Sequence, residues 1–149
     1  MNRRDVLIAG GWALTGTALA AAAEQQPSTA TQLAHMEHHV KTLTDCLREC
    51  ESCSDHCSTL VASGKKEHQS TQKNCADCAE FCTAATRIIA RSGPMSALIA
   101  QACAKACDAC ATECEKFASD EHMKRCGRSC RDCSQICREV SDRAGTGLR

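Results

Sequence analysis

Counting Cys as the small apolar residue it usually is when buried, apolar positions recur at steps of three and four along most of the chain. From Leu43 through Cys46, Cys50, Cys53 and Cys57 to Leu60 the steps are three, four, three, four and three, with polar and charged residues between them. The stripe returns at Cys75, Cys78 and Cys82, at Cys103, Cys107, Cys110 and Cys114, and at Cys126, Cys130, Cys133 and Cys137. Residues three and four apart lie on one face of an α-helix, with Cβ atoms about 5–6 Å apart. The pattern predicts four amphipathic helices over residues 32–63, 67–91, 94–118 and 120–143. Gly64 suits the left-handed C′ position that ends the first. Ser92-Gly93-Pro94 breaks the second from the third, with Pro94 fitted to a first helical turn. Ser119 and Asp120 are both good caps for the fourth.

Four helices joined by short connections make sequence neighbours into spatial neighbours, so the predicted fold is all-α: an antiparallel, up-down four-helix bundle with a Cys-lined core. In that topology the stripes align as four layers. Cys46 joins Cys82, Cys103 and Cys137; Cys50 joins Cys78, Cys107 and Cys133; Cys53 joins Cys75, Cys110 and Cys130; Cys57 joins Thr71, Cys114 and Cys126. Fifteen of the sixteen positions hold a thiol, and they account for every Cys in the chain. At about 1.5 Å of rise per residue the column is roughly 16 Å long. Leu43, Ile89, Ile99 and Val140 bracket one end, and Leu60, Val61 and Phe117 the other.

Composition sharpens this picture. The 149 residues include 15 Cys but no Tyr and only three Phe and Trp together, so sulfur must supply much of the core. Lys plus Arg equals Asp plus Glu at 18 each, and a formal charge of zero gives no field for nucleic acid or an anionic membrane.

Residues 1–23 read as an export leader: Arg3 and Arg4 precede a moderately apolar, glycine-broken run and a small-residue stretch, Ala21 to Ala23. The run is too short and interrupted for a good membrane anchor. The arginine pair resembles a twin-arginine signal, although Val6 and Ile8 depart from the motif; an ordinary secretory leader is the alternative. The predicted location is outside the cytoplasm, in a bacterial periplasm. Residues 24–34 read as a flexible lead-in, 35–143 as the bundle and 144–149 as a tail.

Three chemistries compete for fifteen inward thiols. As plain core residues they would forfeit the volume of Leu or Ile. As a disulfide scaffold, residues at i and i+4 aim their Cβ atoms poorly for an S–S bond, and an odd count leaves one thiol over. Metal remains. Zinc and iron–sulfur sites usually gather Cys from loops into isolated groups, whereas Cu(I) accepts two or three soft thiolates and lets one sulfur bridge two ions. A continuous column therefore points to multiple Cu(I) ions, about fifteen at one per thiol. No acid–base or nucleophile–base pair accompanies the column, which reads as storage and not as an enzyme. The rival is a zinc-binding or redox-buffering thiol scaffold, metallothionein-like in chemistry.

Upstream, His35-Met36-Glu37-His38-His39 reads equally as a solvated first turn of helix or as a surface metal site built on His35, Met36 and His39.

The Cys column over residues 35–140 resembles the copper storage proteins, bacterial Cys-lined four-helix bundles that take Cu(I) inside the bundle. The resemblance implies Cu(I) ligation by all fifteen Cys, partners limited to copper ions with a copper chaperone or recipient copper enzyme, and a homo-oligomer, a tetramer in some members. The exported branch is similar in its twin-arginine leader and His/Met-rich segment. It also implies a mouth lined by the His before the last Cys of the first stripe, here His56 before Cys57. Where that mouth has Met, this chain has Leu60 and Ser63; His68 and Met123, one helical repeat beyond the thiols, face inward in their place, and His122 is equally a surface residue.

Overall fold

The computed structural model describes residues 28–146. They form four helices, α1 (Thr29–Ala62), α2 (Gln69–Ala90), α3 (Ser96–Glu115) and α4 (Glu121–Thr146), with one 3₁₀ turn, Lys66–His68, leading into α2. Each helix packs against its two neighbours in the ring α1–α2–α3–α4. This is the all-α up-down bundle that the stripes predict. The proposed leader, with Arg3 and Arg4, lies outside the described residues. Helix α1 begins at Thr29, inside the segment read as lead-in, because Ser28 caps it: its hydroxyl accepts from the Thr31 N–H at 3.3 Å. Helix α4 runs through Thr146 into the segment read as tail. No helix among the described residues is long and apolar enough to cross a membrane.

The connections follow from backbone chemistry. Gly64, at φ +95°, ends α1, with Lys65 N–H on Leu60 O and Gly64 N–H on Val61 O, both 3.0 Å. The same pair of hydrogen bonds ends α2, where Gly93 N–H meets Ile88 O at 3.0 Å and Ser92 N–H meets Ile89 O at 2.9 Å. There the left-handed residue is Ser92, at φ 49°, and not the adjacent Gly93. Asp120 caps α4, its Oδ1 accepting from His122 N–H at 2.9 Å and Met123 N–H at 3.3 Å.

All fifteen Cys are fully buried, and Leu43, Met123 and Thr71 are the largest side chains with no exposure. Ala79, Ala85, Ala100, Ala104 and Ala111 line the helix contacts, small enough for the backbones to draw close around sulfur-sized side chains. Ion pairs tie the outside together. Buried Glu49 sits between Arg125 and Arg48, 3.0 Å from each, and Arg131 forks onto Glu115 at 2.9 and 2.7 Å.

Candidate metal centre

The thiols meet across the axis at Sγ separations of 3.5–4.0 Å, from Cys50–Cys130 and Cys75–Cys110 at 3.5 Å to Cys50–Cys110 at 4.0 Å. Every Cys is free, and a disulfide would need about 2.05 Å. Five groups of four sulfurs are compact enough to hold a metal ion: Cys82, Cys103, Cys107 and Cys133; Cys46, Cys78, Cys82 and Cys107; Cys46, Cys50, Cys78 and Cys130; Cys50, Cys110, Cys126 and Cys130; and Cys53, Cys75, Cys114 and Cys126. Thirteen thiols belong to these groups; Cys57 and Cys137, at the two ends, belong to none.

The flat layers expected from the sequence are corrected here to a screw. Contacts from α2 to α3 keep the expected rungs, with Cys82–Cys103 at 3.8 Å, Cys78–Cys107 at 3.6 Å and Cys75–Cys110 at 3.5 Å. At the seam between α4 and α1 the ring closes one rung out of level: Cys130 meets Cys50 at 3.5 Å and Cys46 at 3.8 Å, and Cys126 meets Cys50 at 3.9 Å. Bundle helices cross at roughly 20°, so small offsets at each contact add around the ring. A path from Cys53 through Cys75, Cys110 and Cys130 therefore returns to α1 at Cys50. This is why each pocket shares sulfurs with the next and the column has no floors.

The network holds protons as well as sulfur. Cys50, Cys75, Cys107 and Cys130 are pushed above the usual thiol range by the sulfurs they hydrogen-bond, with burial adding to the shift. Cys114 is drawn down to about 5, first by its hydrogen bond with Cys110. Burial pushes Cys57 up to about 11, against an opposing hydrogen bond from Cys53. Soft monovalent ions that displace these protons would neutralise the thiolates pairwise within a dry axis.

The residues predicted for the mouth divide into two sets. His68 and Met123 are buried at the Cys57 end, as their spacing implies. The His68 ring packs at a 33° tilt against Phe117 with centroids 4.1 Å apart, and its Nδ1, like the Thr71 hydroxyl, is buried with no hydrogen-bond partner. His56 lies at the rim instead. Its Nε2 bonds Asp120 Oδ2 at 2.8 Å, and its ring stacks on His122 at 4.6 Å, whose own Nε2 lies 3.1 Å from Ser52 Oγ. Burial works to raise the Asp120 carboxyl, but the bonds from His56 and the Met123 and His122 N–H groups outweigh it and leave it lowered. Asp120 is legible in sequence as a cap; its second task, orienting His56, has no sequence signal, since the two are 64 residues apart.

At the opposite end His35, Met36 and His39 line one groove of about 610 Å³ with Ile89, Val140 and Arg143. His39 is buried, its Nε2 3.9 Å from Glu139 Oε2. Burial, helped by Arg143, lowers its pKa.

A copper storage protein family model matches residues 32–142. The chain belongs to that family. Among solved structures, it is similar to the Cu(I)-bound copper storage protein BsCsp3, at 27% identity and TM-score 0.66 over 72% of this chain and 98% of that one. A cytosolic copper storage protein from Streptomyces lividans, loaded with five coppers, matches at 29% identity and TM-score 0.66, over 76% of this chain and 97% of its own. The same organism's Ccsp, loaded with 10 copper equivalents, matches at 28% and 0.66, over 78% and 92%. No match was found among curated proteins.

These likenesses correct the expected location. The Streptomyces lividans relative is described as cytosolic, which points against an exported, periplasmic protein. The leader reading rests on an imperfect arginine motif and a glycine-broken apolar run, a weak signal beside a fold-wide likeness.

Proposed function

We propose that this chain stores Cu(I), many ions per molecule, on the fifteen Cys of the bundle axis. The observation that carries the reading is the run of five overlapping four-sulfur pockets. Shared sulfurs suit Cu(I), whose ions accept bridging thiolates at low coordination number; isolated tetrahedral zinc sites would leave each sulfur to one ion. The role is storage and supply without catalysis. Its partners are copper ions, a copper chaperone or recipient enzyme, and further copies of the chain. His56, His68 and Met123 form the mouth, where weaker nitrogen and thioether ligands pass ions to the all-thiolate interior. His35, Met36 and His39 form a separate small site behind the Leu43 plug.

Metal uptake by reduced, metal-free protein tests the reading. Cu(I) should load to about one ion per thiol and stay bound against a strong Cu(I) chelator, while Zn(II) should stop near one ion per four thiols. Uptake of no more than about four Cu(I) per chain, with Zn(II) held as firmly, would establish the zinc or redox-buffer scaffold instead.

A further inference from the structure

The five pockets are not joined alike. Taken from the Cys137 end, the first and second share Cys82 and Cys107, the second and third share Cys46 and Cys78, and the third and fourth share Cys50 and Cys130. The fourth and fifth share Cys126 alone. From this geometry, and resting on the storage reading above, we infer that Cys126 is the hand-over thiolate between an outer pocket at the Cys57 end and an inner store of four edge-sharing pockets.

The chemistry follows from how Cu(I) exchanges between thiolates. An ion moves most easily when one sulfur holds it throughout and the incoming ligand binds before the outgoing one leaves. Where two sulfurs are common to both pockets, losing one still leaves a bridge. At the junction of Cys53, Cys75 and Cys114 with Cys50, Cys110 and Cys130, only Cys126 touches both sides as a pocket member. Its Sγ lies 4.0 Å from Cys75 and 3.9 Å from Cys50. In the transfer the ion stays Cu(I) and keeps its bond to Cys126. It gains a bond to Cys50 or Cys130 and gives up one to Cys53 or Cys114. The proton of the thiol that becomes a ligand passes through the hydrogen-bonded sulfurs, which include Cys110, Cys75 and Cys114, to the sulfur left behind. The Cys75–Cys110 contact, 3.5 Å, also spans the junction, so removing Cys126 slows passage without closing it.

The test compares Cys126→Ser with Cys78→Ser, both loaded from a Cu(I)–chelator complex and emptied into excess chelator in stopped flow. Each variant removes one thiol, so capacity falls alike. Cys78→Ser should lose about one ion of capacity and load more slowly than wild type, but still in a single phase, because Cys46 still bridges its two pockets. Cys126→Ser should load in two phases, the slow one carrying most of the copper and slower by about tenfold or more. Adding Cys110→Ser should slow that phase further. If Cys126→Ser folds poorly by circular dichroism, Cys126→Ala serves in its place. A single phase in the Cys126 variants, at the rate of Cys78→Ser, overturns the inference while leaving storage intact. A wild-type protein that never loads many ions would instead sink the storage reading itself.

Discussion

At the Cys57 end of the column the residues that close it are His68, Thr71 and Met123, whereas at the Cys137 end they are Leu43, Ile89 and Val140. The first set carries two buried polar atoms with no partner among the described residues, His68 Nδ1 and Thr71 Oγ1. Each costs about 1–3 kcal/mol when left unsatisfied. The second set is wholly apolar, and fully burying a Leu side chain contributes about 1.5–3 kcal/mol. One end thus gives up stability by burying polar atoms without partners, and the other gains it by burying aliphatic side chains. His39 does not undo the contrast: its Nε2 has no hydrogen bond but faces Glu139 Oε2 at 3.9 Å, and it lies one helical turn outside Leu43.

The Leu43 end should carry the larger share of stability. Leu43→Ala should destabilise the metal-free bundle by about 2–5 kcal/mol, measured by urea unfolding followed by circular dichroism. Leu60→Ala at the Cys57 end, where the side chain is only half-buried, should cost less than half as much. Equal losses would erase the difference between the ends.

Alkali should weaken the Cys57 end through Cys57 itself. Its thiol is raised from 9.0 to about 11 in the folded chain, so the folded state holds this proton more tightly than the unfolded state. The stabilisation is complete below pH 9 and is lost as pH rises through about 11, at up to about 1.4 kcal/mol per pH unit. Cys57→Ser should flatten that part of the stability profile.

If ions enter through His56, His68 and Met123 as proposed, copper traffic should respond only at the Cys57 end. Replacing His56 and His68 with Ala should slow Cu(I) uptake or release by about tenfold, some 1.4 kcal/mol in barrier, and leave capacity nearly unchanged. Replacing Met36 and His39 should leave these rates alone. The reverse result, in stopped-flow transfer, would move the mouth to the Leu43 end.

The smallest effect belongs to Thr71. Thr71→Val removes the unpartnered hydroxyl at constant shape and should stabilise the metal-free protein by about 1 kcal/mol, read as a rise in melting temperature. Thr71→Cys should add about one Cu(I), since it supplies one more soft ligand.

Much of this was legible in the spacing of Cys. Steps of three and four fix a helical face, and four such faces with short connections fix the ring, so the buried thiols and the inward His68 and Met123 follow from sequence alone. The screw does not follow. It arises from the crossing of the helices, which spacing along any one chain segment does not encode, and it decides that Cys46 meets Cys130 at 3.8 Å and not the expected Cys137. Ser92 escaped for a local reason: the adjacent Gly93 is the better left-handed residue, yet the hydrogen bonds to Ile88 and Ile89 place the turn one residue earlier. The pairing of His56 with Asp120 depends on the seam between α1 and α4, which only the folded ring defines.

Storage on this bundle requires that the whole axis, and not a single group of four thiols, takes up copper. Anaerobic Cu(I) titration of the reduced, metal-free protein read by native mass spectrometry tests it most directly, because it counts ions and displaced protons in one spectrum. A Cys-lined store should give a series of additions reaching about fifteen Cu(I), each with loss of about one proton. A series that ends at about four ions, with most thiols still protonated, would contradict it.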